Sequence, residues 1–338
     1  MLETTPGHWS ARWILNLAYM TLGRYPQDVP QAYRIPAEVF EAEYEIPRFE
    51  DIAQSLGLDD FSCSGGAIAD DFDGDGLLDI VTTGMDFRDQ MRIYRNRGDG
   101  TFEDRTEAAA LEGELGGLNL IHGDYDNDGD LDLFVLRGGW VGKLMGPGLG
   151  SHPNSLLRND GAGNFENVTI ESGLWSSHPT ATAVWADLDG DGWLDLFIGN
   201  ESYELDPNRP ELFLNQQDGS FVEVSARAGV GDLGYVKGVT CADYDHDGRV
   251  DILVSILGKP NVLLRNRTER PGEVRFEEVP GQVTEPMYSF VTWFWDYDND
   301  GWEDLYIGGY TPFDSTSLHD LPADYLRMPL RTCNYPRV

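Results

Sequence analysis

A nine-residue segment, Asp-x-Asp-x-Asp-Gly-x-x-Asp, recurs five times in this 338-residue chain and constrains its fold more than any other feature. The first copy places aspartates at Asp71, Asp73, Asp75 and Asp79, the second at Asp124, Asp126, Asp128 and Asp132. The third has Asp187, Asp189, Asp191 and Asp195, and the fourth Asp243, Asp245, Asp247 and Asp251. The fifth has Asp296, Asp298, Asp300 and Asp304. Gly76, Gly129, Gly192, Gly248 and Gly301 hold the sixth position, and successive copies start 53, 63, 56 and 53 residues apart. Chance would produce such a loop on the order of 0.03 times in a chain of this length.

Each copy sits in the same context. A short alternating run precedes it, such as Ala67–Asp70 or Ala183–Ala186. A dense apolar run follows: 78–81, 131–135, 194–198, 250–254 and 303–307. Short, β-branched and aromatic, these runs read as strands buried on both faces. A third strand ends at an asparagine, Asn96, Asn159, Asn215 or Asn266, and a fourth opens on Phe102, Phe165, Phe221 or Phe276. Four antiparallel strands in a unit of about 50 to 60 residues make a propeller blade. The expected fold is therefore all-β, a β-propeller over residues 47–338, with a helical segment over 1–46. Arg48–Leu58 reads as a fourth strand without its first three, the kind that closes a propeller edge. The fifth unit shows only two clear strands, so the chain is expected to end inside a blade. In the leading segment Trp13, Ile14, Leu17, Ala18 and Leu22 recur at helical spacing, with Gly23 as the stop and a second short helix near 37–43.

Alternate carboxylates on a tightly turning loop converge on one point, and glycine permits the positive φ of the turn. Calcium takes 6–8 hard oxygen ligands, which four carboxylates, a backbone carbonyl and water supply; magnesium fits less well. The carbonyl is expected from position seven: Leu77, Asp130, Trp193, Arg249 and Trp302. An EF-hand would need a glutamate at position twelve, where Thr82, Val135, Ile198, Val254 and Ile307 stand instead. The expectation is five structural calcium ions, one per loop. They would bring the formal charge of -35, from 59 acidic and 24 basic residues, to about -25. The remaining acidity repels nucleic acid and anionic membrane. No apolar run is long enough to span a bilayer, and residues 1–23 do not read as a signal peptide. Cys63, Cys241 and Cys333 form neither a disulfide framework nor a metal-ligand spacing.

The loops resemble those of FG-GAP or VCBS repeats, as in integrin α-subunit propellers. The fuller unit, Phe102-Glu-Asp-Arg-Thr followed by the loop at Asp124–Asp132, is similar to the cartilage acidic protein group, which includes bacterial ASPIC/UnbV proteins. The resemblance covers about residues 48–338. It implies calcium at the twenty aspartates above, seven blades, an extracellular or periplasmic and cell-envelope setting, and adhesion or scaffold roles. It also implies that Trp13–Tyr25 corresponds to the last helix of a tetratricopeptide array. The literal Phe-Gly-x-Gly-Ala-Pro string and an ASPIC/UnbV segment are absent from the sequence.

Three functional readings follow. The first is a monomeric propeller binding a protein or carbohydrate ligand. The second is a polysaccharide lyase on the same blades, for which no cluster of acid and base residues stands out. The third is a structural spacer. No nucleophile elbow, phosphate-cradling glycine motif or zinc-protease motif appears. His122 and His246 lie beside or within loops and read as packing groups. The glycine-rich insertion 138–150, with Trp140 and His152–Asn154, is the least repeat-like stretch and a candidate ligand site. Asn167, Asn200 and Asn266 head glycosylation sequons, a weak signal in a chain this acidic.

Overall fold

The computed structural model describes residues 2, 8–41, 49–139, 152–202, 207–283 and 285–309. Two compact units are distinguished, the described part of one reaching Asp51 and of the other starting at Ile52.

In the first unit, α1 (Trp9–Thr21) starts where the His8 ring nitrogen Nδ1 accepts the Ala11 N–H at 3.2 Å. It stops at Gly23, whose φ of 66° ends the right-handed turn. Of the apolar stripe, Trp13, Ile14, Leu17 and Leu22 are exposed, Trp13 packing on Phe40 with ring centroids 4.8 Å apart, whereas Asn16 is fully buried. Asn16 Nδ2 donates to the carbonyls of Arg12 (2.7 Å) and Tyr33 (2.8 Å), and its Oδ1 accepts the Ile35 N–H at 3.0 Å. A polar knot thus pins the helix to the 31–35 segment. The short helix expected near 37–43 is a 3-10 turn, Ala37–Phe40; residues 42–48 lie outside the described residues.

The second unit is a succession of antiparallel meanders. β1 (Ser64–Asp70), β2 (Asp79–Gly84), β3 (Arg92–Asn96) and β4 (Phe102–Asp104) form the first sheet in chain order. β5 (Asn119–Gly123), β6 (Asp132–Leu136), β7 (Ser155–Asn159) and β8 (Phe165–Asn167) form the second. β9 (Thr180–Ala186), β10 (Asp195–Asn200), β11 (Glu211–Asn215) and β12 (Phe221–Glu223) form the third. β13 (Val236–Ala242), β14 (Asp251–Ile256), β15 (Val262–Asn266) and β16 (Phe276–Val279) form the fourth. The fifth is a pair, β17 (Ser289–Trp295) with β18 (Asp304–Gly309). This is the all-β, propeller-like architecture expected from the repeats. Among the described residues there are five sheets, and no strand pairing joins the fifth to the first.

The second strands show why the apolar runs are continuous. Leu133 and Val135 of β6 pack toward the first sheet, with Val81 and Ile93, while Phe134 and Leu136 pack toward the third, with Leu196 and Ile198. One step on, Phe197 joins Leu212, Ile252 and Val254 between the third and fourth sheets. Alternate residues of one strand feed two separate cores, so every residue must be apolar. The first strands of successive sheets lie side by side. Their glycines allow the approach: a Cβ on Gly238 would stand 2.3 Å from the Phe290 carbonyl oxygen of the next first strand.

One expected strand is not formed. Residues 49–58 contain a 3-10 turn, Gln54–Leu56, closed by Leu58 N–H donating to the Ala53 carbonyl at 3.0 Å. The same bond closes the turn after β4 (Leu111 to Thr106), β8 (Leu174 to Thr169) and β12 (Val230 to Ser225). The segment is therefore the turn that follows a fourth strand. Its strand-like start, at Phe49, is 95% exposed and has no third strand to pair with among the described residues.

Candidate metal centres

Each acidic loop joins the first strand of a sheet to the second and is folded by its own carboxylates. The first aspartate bends the chain back on itself. Asp71 accepts the N–H of Asp75 (3.1 Å) and Gly76 (2.8 Å), and Asp124 those of Asp128 (3.1 Å) and Gly129 (3.0 Å). Asp187, Asp243 and Asp296 repeat the pattern with the N–H groups of positions five and six. Position six is glycine with φ between 84° and 97° in every copy, as the sequence requires. Position four is also left-handed, and there Gly74, Asn127, Gly190, His246 and Asn299 stand. Glycine and asparagine enter that region most readily, a constraint the repeat carries that sequence reading did not use.

The turn brings carboxylates together. Ligand oxygens of Asp71, Asp73 and Asp79 lie within 4.8 Å of one another. So do those of Asp124, Asp126 and Asp132, of Asp187, Asp189 and Asp195, and of Asp243, Asp245 and Asp251. In the fifth loop the trio is Asp296, Asp298 and Asp300. The fifth-position residues Asp75, Asp128, Asp191 and Asp247 stand outside these trios, each accepting the N–H of position seven, Leu77, Asp130, Trp193 or Arg249. Asp304 stands outside the fifth trio and accepts the Tyr297 N–H at 2.9 Å. At Trp302 the position-seven N–H goes to Asp300, at 3.0 Å.

Burial sets the electrostatics. The ninth-position carboxyls of Asp132, Asp195 and Asp251 are pushed up to about 7. Desolvation is the main cause, opposed by the N–H bonds from Asn159, Asn215 and Asn266. Asp79, Asp126 and Asp189 are raised for the same leading reason. At position three, Asp73 Oδ1, Asp126 Oδ1 and Asp245 Oδ1 are buried and without a hydrogen-bond donor. Buried, converging carboxylate oxygens that lack donors are what a hard divalent cation satisfies, so the donor set fits calcium.

The loops differ in their cationic neighbours. Arg95 reaches Asp73 and Asp75, and Arg265 reaches Asp245 and Asp247. Arg158, at the matching place in the second sheet, pairs instead with Glu166. In the third sheet that place is Leu214.

Sequence reading saw the asparagines that end the third strands only as punctuation. Asn159 Nδ2 donates at 2.8 Å to the Phe72 carbonyl in the preceding sheet's loop, and Asn215 and Asn266 do the same to Tyr125 and Leu188. Their recurrence at one position was the available signal.

The other candidates lie as follows. His122 Nε2 lies 2.9 Å from Asp70, and His246 stacks on Trp302 with ring centroids 4.2 Å apart. Asn200 and Asn266 of the sequons are buried and hydrogen-bonded, whereas Asn167 is exposed. Of the glycine-rich insertion, residues 140–151 lie outside the described residues, as do Cys333 and the polar stretch from 310. His152 packs on Phe87, and Asn154 is buried between Arg137 and Thr180.

Repeated four-stranded sheets, each with an aspartate-clustered loop at the same corner, define a repeat scaffold of the propeller class. The chain belongs to the family of FG-GAP-like repeats, which matches residues 71–135, 144–198 and 187–254. It is 26% identical to cartilage acidic protein 1 of Xenopus tropicalis over 251 residues, 70% of this chain and 37% of that protein. With cartilage acidic protein 1 of Homo sapiens the identity is 24% over 254 residues, 72% of this chain and 35% of that one. The chain thus spans little more than a third of the curated relatives it matches. Among solved structures, the V. cholerae biofilm matrix protein Bap1 aligns with a TM-score of 0.40 at 12% identity, over 73% of this chain and 35% of that chain. That likeness is too loose to carry an argument. No helix among the described residues is long and apolar enough to cross a membrane.

Proposed function

We propose that this chain is a non-catalytic binding scaffold whose acidic loops each hold one structural calcium ion. The observation that supports it most is the set of buried, donorless third-position oxygens on Asp73, Asp126 and Asp245. A buried polar atom left without a partner costs about 1–3 kcal/mol, and a cation at the centre of the first, second and fourth trios removes that cost. In this reading, positions one, three and nine hold the ion in the first four loops and Asp296, Asp298 and Asp300 in the fifth. The fifth-position carboxylates, Asp304 and the position-seven carbonyls complete the 6–8 oxygens, directly or through water.

The scaffold serves as a monomer that presents its sheet faces to a protein or carbohydrate ligand, outside the cytosol or in a cell envelope. Weak sites, with Kd of ~10⁻⁴–10⁻³ M, fill in such compartments. The test combines thermal melting in calcium, magnesium and chelator with a count of bound ions by equilibrium dialysis. Five ions and a calcium-specific rise in Tm are expected. Equal melting in calcium and chelator would sink the reading.

A further inference from the structure

The loops are joined by one continuous hydrogen-bonded chain that passes through four sheets. Phe72 N–H donates to Asp79 Oδ2 (3.3 Å), and the Phe72 carbonyl accepts from Asn159 Nδ2 (2.8 Å). Asn159 N–H donates to Asp132 Oδ1 (2.8 Å), whose Oδ2 accepts the Tyr125 N–H (3.3 Å). The Tyr125 carbonyl accepts from Asn215 Nδ2 (2.8 Å), and Asn215 N–H donates to Asp195 Oδ1 (2.9 Å). Leu188 N–H donates to Asp195 Oδ2 (3.0 Å), its carbonyl accepts from Asn266 Nδ2 (2.8 Å), and Asn266 N–H donates to Asp251 Oδ1 (2.7 Å). Every residue in the chain, from Asp79 to Asp251, is at most 5% exposed.

We propose that this chain couples cation binding between neighbouring loops, with Asn159, Asn215 and Asn266 as the positioning residues. The proposal rests on the reading of the loops as calcium sites. The ninth-position aspartate is at once a member of the trio and the acceptor of the N–H bonds that set its orientation. An ion that locks Asp132 also locks the Tyr125 peptide. The Tyr125 carbonyl holds Asn215, and Asn215 N–H aligns Asp195 in the next loop. The ordering cost of the second loop is thus partly met by the first ion, which is positive coupling. Water does not compete in a dry network, so each bond polarises the next. Asn96 provides an internal control. Among the described residues its side chain donates only to Leu78 O (3.0 Å), within its own sheet.

The test is hydrogen exchange read by mass spectrometry along a calcium titration of the full chain, which gives a midpoint for each loop separately. Asp187→Asn, which weakens the third loop, should raise the midpoints of the second and fourth loops at least about fivefold. In an Asn215→Ala background the same substitution should no longer shift the second loop. It should still shift the fourth, which Asn266 connects. Asn96→Ala should leave the coupling of the second and third loops intact, which a merely structural role for these asparagines would not single out. Should Asn215→Ala not fold, Asn215→Ser, too short to reach Tyr125, takes its place. An unchanged second-loop shift without Asn215 overturns the proposal. So does the absence of any shift from Asp187→Asn in a chain whose other loops are all protected by calcium. If calcium protects no loop at any concentration, the calcium reading itself fails and the coupling with it.

Discussion

The third and fourth loops carry the same four aspartates on the same turn, yet their charges are compensated differently. Around Asp187, Asp189 and Asp195 the acceptors meet N–H groups, including Gly272 N–H at 2.6 Å from Asp189, and no arginine or lysine forms an ion pair with them among the described residues. Around Asp245 and Asp247 the guanidinium groups of Arg265 and Arg249 are already in place. In the proposed calcium reading, a cation would meet carboxylates without an arginine or lysine partner in the third loop, whereas in the fourth it would compete with Arg265 and Arg249. On the calcium reading proposed above, the motif marks where a cation would sit, while its neighbours would set how strongly it is held.

Asp189→Ala should remove one full site from the stronger loop, about 3 kcal/mol of calcium-dependent stability at saturating calcium. Asp245→Ala should cost clearly less, and chemical denaturation in calcium measures both. Equal losses would mean that the arginines do not matter.

The next effect is on pH. Asp132, Asp195 and Asp251 have folded-state values near 7, far above the unfolded carboxyl. A raised value means that their contribution to stability is complete at low pH and is lost as pH rises through about 7. The carboxylates held low, such as Asp99, Asp160 and Asp218, titrate below this window. Metal-free protein should therefore lose several degrees of Tm between pH 5 and pH 8. In excess calcium, where the ionised form is the one bound, that loss should vanish.

Exchanging the arginine should come third. Arg265→Leu makes the fourth loop resemble the third and should tighten its calcium affinity about tenfold, or about 1.4 kcal/mol. Leu214→Arg should weaken the third by a similar factor. Site-resolved titration reads both, and unchanged midpoints would refute the competition. The smallest effect is expected at His246, which occupies the left-handed fourth position and stacks on Trp302 of the next loop. His246→Gly loses the stack but relieves the backbone, so stability should move by less than about 1 kcal/mol, with the calcium midpoint of the fourth loop unchanged.

Much of this was legible in the sequence. The four strands of each unit, the two-faced burial of β6, β10 and β14, and the acidic turns all follow from patterns a few residues long. What local patterns did not supply has one cause, which is that burial is decided by partners elsewhere in the chain. Helical spacing located α1, but that it is Asn16 it buries depends on hydrogen bonds to the 31–35 segment. Phe49–Leu58 has the residues of a fourth strand and its turn, and among the described residues it forms the turn without a paired strand. In the first four loops the position-five carboxylate takes the N–H of position seven while positions one, three and nine form the trio; in the fifth loop Asp300 is in the trio and Asp304 stands outside it.

The sequence by itself determined the acidic turns, because each is closed by hydrogen bonds spanning at most five residues and by glycine's access to positive φ. Only the tertiary structure decided how the turns are linked and how strongly each is neutralised. Asn159 reaches a carbonyl 87 residues away, Asn215 one 90 away and Asn266 one 78 away, and Arg265 meets Asp245 only because β15 lies beside β14. Contacts at that separation depend on the packing of whole sheets, which local residue patterns do not encode.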